Sequence, residues 1–146
     1  MKITIDEKAH NNEIEVIIKG SKDDDRVKSI YQALLYYDQT ILGKINNKYI
    51  QIPLNQIYYF DTIEDKTFAY TKDQIYDINH RLYQLEDILS HTPFLRVNKN
   101  TIVNIKKIRS FHSTINGRME GKLVNKERVK ISRRYVKDLK AKLGGL

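Results

Sequence analysis

The sequence predicts a mainly β protein with short helices, and three observations carry that reading. Ten Tyr and four Phe accompany frequent Ile and Val, the residue types that fit a pleated, half-buried surface. From Ile41 onward, short alternating apolar and polar stretches are separated by turn residues. Hydrophobic residues make up 40% of the 146 positions, enough to build a core in one domain with a small appendage.

Residues 1–39 read as the appendage, a strand–strand–helix unit. Residues 2–6 (KITID) and 13–18 (EIEVII) alternate as strands do. Ser21 and Asp23 are candidate helix caps, with Asp24 and Asp25 placed well in a first turn. Val27, Ile30, Leu34 and Tyr37 then recur at helical spacing, which predicts an amphipathic helix over about 23–37. A unit this small cannot hold a core alone. It needs the following domain, or a second copy of itself.

Residues 40–146 read as the main domain. Strands are expected near 41–45, 48–52, 57–61, 66–71 and 74–78. Asn46-Asn47, Pro53-Leu54-Asn55-Gln56, Glu64-Asp65 and Lys72-Asp73 supply the turn chemistry between them. Leu82, Leu85 and Leu89 share a helical face over 81–89, and Pro93 follows as an exit signal. Further strands are expected near 94–97, 101–105, 108–114, 118–124 and 128–131, with Asn116-Gly117 as the clearest hairpin turn. Ser132 then reads as the cap of a last helix with Val136, Leu139 and Leu143 inward, closed by Gly144-Gly145.

The formal net charge of +8 is unevenly placed. Residues 1–40 hold 6 Lys and Arg against 8 Asp and Glu, and residues 41–90 hold 5 against 7. Residues 91–146 hold 15 against 3. A field concentrated in this way attracts a polyanion, and nucleic acid is the commonest in cytoplasm. The chain has no Cys, which excludes disulfides, thiolate metal sites and Cys nucleophiles. No apolar run approaches the roughly 20 residues that span a bilayer, and the N-terminus lacks the uninterrupted apolar stretch of a signal peptide. A cytoplasmic protein without cofactors is expected.

Three segments carry candidate chemistry. In the first, alternation leaves Arg96, Asn98, Lys99 and Asn100 clustered at a strand-to-strand turn. Arg and Lys can neutralise phosphate or donate to guanine, and Asn can bridge adenine. The residues alone fit an ordinary polar hairpin tip equally well. In the second, Arg133 and Arg134 fall in the first turn of the helix that Ser132 starts. Cations there oppose the helix dipole, at about 0.3–1 kcal/mol each when exposed. An anion held by the free backbone amides would resolve that conflict. In the third, Lys66 ends the turn that follows Asp61. Taken alone, that segment reads as a plain hairpin.

Phe94 to Asn104, then Ile108, then Ser132-Arg133-Arg134-Tyr135-Val136 together resemble the paired signature of LytTR DNA-binding domains. That signature is an F-x-R-x-[polar]-[basic]-[small polar]-x-x-V-N strand pair before a terminal S-R-R-Y-V helix start. Ile57-Tyr58-Tyr59-Phe60-Asp61 is similar to the family's first core strand, and the match spans about residues 40–146. The resemblance implies small stacked antiparallel sheets whose loops enter successive major grooves of double-stranded DNA over imperfect direct repeats. It puts the DNA contacts on Lys66 or its neighbour Asp65, on Arg96 and Lys99, and on Arg134. Many members carry His where this chain has Asn98, and Ser where it has Asn100. The first 40 residues are too short for a phosphate-accepting receiver domain, so Asp23-Asp24-Asp25 is not a phosphoacceptor pocket. The short extension is similar to stand-alone members, which implies a homodimer at least on DNA and a small membrane regulatory protein as a further partner.

Two other classes compete. An enzyme is disfavoured because His10, His80, His91 and His112 are scattered without metal-ligand spacing, and no phosphate cradle or nucleophile elbow is present. An RNA-binding module is closer. Its aromatics would be Tyr58, Tyr59, Tyr70 and Tyr76, which lie outside the basic third and alternate like core residues. A helix-turn-helix would need two adjacent helices where the sequence shows strands.

Overall fold

A computed structural model describes residues 1–7 and 13–144. His10 and Gly145, both used in the sequence reading, lie outside the described residues. The two strands expected in the appendage do not form. Residues 1–7 and 13–24 hold no strand, and Ile3, Ile5, Ile14 and Ile17 are exposed. Alternation prepares a strand, but only a pairing partner makes one, and a lone two-stranded hairpin is marginal in water.

The first helix, α1 (Asp25–Asp38), starts one residue after its cap. That cap is Asp24, rather than Ser21 or Asp23, with its carboxylate accepting from the Arg26 backbone N–H at 2.9 Å. The Arg26 guanidinium at 2.8 Å holds this carboxyl below its usual range. The inward ring is Tyr36, not Tyr37, which is 75% exposed. Tyr36 turns in because its hydroxyl accepts from the buried Asn104 Nδ2 at 2.8 Å.

Ten strands follow, most within two residues of expectation. They are β1 (Thr40–Ile45), β2 (Lys48–Pro53), β3 (Tyr59–Ile63), β4 (Lys66–Tyr70), β5 (Ile75–Ile78), β6 (Phe94–Asn98), β7 (Thr101–Asn104), β8 (Ile108–Ser113), β9 (Met119–Leu123) and β10 (Arg128–Ile131). Helix α2 (Leu82–Ile88) lies between β5 and β6, and α3 (Arg133–Leu143) ends the fold. Strands β1–β7 make one sheet in the order β2-β1-β5-β4-β3-β7-β6, and the rest make a second, β10-β9-β8. All neighbouring pairs are antiparallel.

The large sheet has a core on each face. On one side Phe60, Ala69 and Ile102 pack with Leu82 and Leu85 of α2 and with Leu89 just after it, and Tyr36 leans on this cluster. On the other, Val97 and Val103 meet Met119, Leu123, Val129 and Ile131 of the small sheet and Leu139 of α3. Alternate side chains on β6 and β7 therefore serve opposite cores. The expected inward positions Val136 and Leu143 pack against the second cluster.

Asn104 joins the layers. It is fully buried, donates to Tyr36 and to the Ile57 carbonyl at 2.9 Å, and accepts from the Lys106 amide at 3.1 Å. Asn104→Ala should destabilise the fold by about 2–3 kcal/mol, because it strands buried groups. Tyr36→Phe should cost about 1 kcal/mol. Denaturant midpoints that match the parent in both variants would contradict this. Burial, with Glu127 beside it, raises the Tyr59 hydroxyl well above the ordinary 10.0. A group with a raised folded value stabilises below its unfolded value and loses that contribution as pH climbs. Stability should therefore decline above about pH 10, and Tyr59→Phe should flatten that decline in a pH series of thermal melts.

Candidate nucleic-acid interface

β3 pairs antiparallel with both β4 and β7, so the β3–β4 and β6–β7 turns project from the same end of the sheet. At the first turn Glu64 and Asp65 both have positive φ, 50° and 65°, the left-handed pair that a tight hairpin needs. The Thr62 amide donates to the Asn100 carbonyl at 2.9 Å and ties the turns together. Lys66 stands exposed at the root of one turn, and Lys99 and Asn100 at the tip of the other.

The β6–β7 turn is braced from inside. Arg96 Nε donates to the Asn98 carbonyl at 3.1 Å, and Nη2 donates to the Lys99 carbonyl at 2.5 Å. Its remaining arm, Nη1, meets Glu86 Oε1 on α2 at 2.5 Å. Asn98 sits beside a bulge in β6. Its Nδ2 donates to the Lys130 carbonyl at 2.9 Å, and its Oδ1 accepts from the Asn100 amide at 2.9 Å. Two residues expected as contacts therefore direct their donors into the protein. They shape the turn, while Lys99 and Asn100 face solvent.

The same end receives α3. The Ser132 amide donates to the Val97 carbonyl at 2.9 Å, which sets the start of the helix beside β6. Ser132 occupies the cap position, as expected, but its side chain makes no capping bond, and the first turn holds no acid. Its leading amides remain open to an anion. The Arg134 guanidinium lies over the Tyr135 ring, 5.5 Å from the centroid. Arg133 leans on the β8–β9 turn, where Asn116 and Gly117 take φ of 60° and 73°. A Cβ at Gly117 would come within 3.0 Å of Arg133 Cδ.

A shallow depression of about 290 Å³ between α2 and the turns is lined by Asp65, Arg81, Tyr83, Arg96 and Lys99. Arg81 was not singled out by sequence, nor was Lys130, which is exposed where β10 approaches Asn98. Arg81 lies outside the basic third, and only the fold brings it to Lys99. The cations of the last third do not all share this end. Lys106 and Lys107 follow β7 at its far end, where the Lys107 carbonyl accepts from the Val124 amide at 2.9 Å. Lys126 lies nearby in the β9–β10 turn.

This arrangement has a known counterpart. The model of the LytTr DNA-binding domain matches residues 47–144. The chain belongs to that family. The LytTR fold is also seen in the LytTr DNA-binding domain of a protein described as a methyl-accepting/DNA response regulator from Bacillus cereus. That domain superposes with a TM-score of 0.68 at 21% identity, covering 73% of this chain and 98% of that one. Regulators from Staphylococcus aureus strains RF122 and NCTC 8325, each named an uncharacterised HTH-type transcriptional regulator, are 30% identical over 145 residues and covered to 98%. This LytTR chain does not itself contain a helix-turn-helix among the described residues, since five strands separate α2 from α3.

Arg96→Lys keeps the charge but loses the fork that spans two carbonyls and Glu86. Amide exchange at Asn100 should then quicken about tenfold, the equivalent of one lost hydrogen bond. An unchanged Asn100 rate would show that the turn holds its shape without Arg96.

Proposed function

We propose that this chain is a sequence-specific transcription regulator of the cytoplasm that reads duplex DNA through loops in successive major grooves. The observation that carries the reading is the gathering of Lys66, Lys99, Asn100, Arg133 and Arg134 at one end, with the turn that bears Lys99 and Asn100 held by Arg96 and Asn98. Rigid turns suit base-edge recognition, because a donor held in place loses little entropy on binding. Lys99 and Asn100 are the base-reading pair. Lys66, Arg133 and Arg134 hold phosphates, with the open amides of α3 beside them. Arg96 and Asn98 act through the turn as positioning residues. Two copies on imperfect direct repeats make the regulatory assembly, restrained by a small membrane protein. No catalytic role is assigned to any residue.

The RNA reading loses support from the aromatics. Tyr58 is buried, and Tyr59 and Tyr70 stack on each other at 4.4 Å, so these rings are not presented to unpaired bases. The name carried by the Staphylococcus aureus relatives favours transcription as the setting.

Lys99→Ala and Arg134→Ala should each weaken specific binding about tenfold or more, at about 1–3 kcal/mol per contact. Loss of the phosphate contact in Arg134→Ala should also flatten the dependence of affinity on salt. Gel shifts at several salt concentrations, with duplex, single-stranded DNA and structured RNA as competitors, check both points. Parent affinity in both folded variants, or a preference for RNA, would overturn the proposal.

A further inference from the structure

The appendage leaves a specific problem unsolved within one chain. Ile14 is 91% exposed, Val16 57% and Ile17 69%, although their segment has the alternation of a strand. Residues 13–19 nevertheless pair with no strand among the described residues.

Charge explains why the local hairpin fails. Two antiparallel registers with residues 2–6 would set both Ile3 and Ile5 against Ile14, Val16 or Ile18. One places Asp6 opposite Glu13, and the other places Asp6 opposite Glu15. Like charges directly across a ladder are destabilising.

Pairing with a second copy of the same segment reverses the sign. An antiparallel pair centred on Val16 sets Glu13 of each copy opposite Lys19 of the other. Ile14 then meets Ile18, and Val16 meets Val16 on the two-fold axis. One face of the ribbon becomes wholly apolar, and both ends carry opposite charges. Residues 2–6 share this property about Thr4, with Lys2 opposite Asp6 and Ile3 opposite Ile5. A sequence that is self-complementary under two-fold rotation is what an isologous contact requires.

We infer that residues 13–19 form the subunit contact of a homodimer, as a two-fold antiparallel strand pair between two copies of this chain. The inference deepens the homodimer of the proposed function and does not depend on its DNA contacts. Gly20 to Asp24 separate the paired strand from α1. A turn closed by the Asp24 amide on the Ser21 carbonyl at 3.1 Å lies between them, so the paired strand stands apart from the helix.

The test uses the full chain without DNA. Sedimentation equilibrium should give a dimer for the parent. Glu13→Lys or Lys19→Glu alone should weaken it about tenfold, since each sets like charges at two symmetric positions. The combined swap should restore it. Because the chain has no Cys, Val16→Cys should oxidise to a covalent dimer, whereas Ile14→Cys, opposite Ile18, should not. A monomeric parent at tens of micromolar, failure of the double swap to rescue, or equal cross-linking at both positions would overturn the inference. Gel shifts of the same variants on a single half-site separate the two readings. Unchanged half-site affinity beside a lost dimer supports this contact, and half-site failure in the parent counts against the DNA reading alone.

Discussion

The shape of the β6–β7 turn depends on one guanidinium. Arg96 reaches two carbonyls of its own turn and a carboxylate on α2, so a single planar group fixes the path of Asn98, Lys99 and Asn100. Only Arg offers several donors in a rigid plane with that reach. Asn98 then passes the constraint to β10 through the Lys130 carbonyl. The Val97 carbonyl, next to it, receives the start of α3. The turn, the last strand and the last helix thus share one local frame.

The two cores make that frame stiff. β6 and β7 send alternate side chains to clusters on opposite faces, with Val97 and Val103 fully buried on one side and Ile102 on the other. Close packing on both faces resists tilting of the strand pair. Arg96 therefore refines a turn whose base is already anchored, and α2 contributes both a core wall and the Glu86 carboxylate that orients it.

Most of the fold was legible because period and punctuation agree. Asn46-Asn47, Glu64-Asp65 and Asn116-Gly117 all take left-handed backbone where turns were expected, and Leu82, Leu85 and Leu89 are buried together. The failures have physical causes. Residues 2–6 and 13–18 carry a strand pattern without a pairing partner among the described residues. Helical spacing favours Tyr37, and a hydrogen bond from a residue 68 positions away turns Tyr36 inward instead. For the site, the motif located the turn and the helix start. It could not divide Arg96 and Asn98 from Lys99 and Asn100, because which side chain braces and which is presented depends on carbonyls brought close only by folding. Arg81 was invisible for the same reason.

Lys106, Lys107 and Lys126 stand at the end remote from the turns, and this has a kinetic consequence. Positive charge at both poles attracts a polyanion to either end, which weakens the torque toward the turns. Arrival is hastened while docking still waits on rotation. Electrostatics here governs how often the two molecules meet, and shape governs how often a meeting counts.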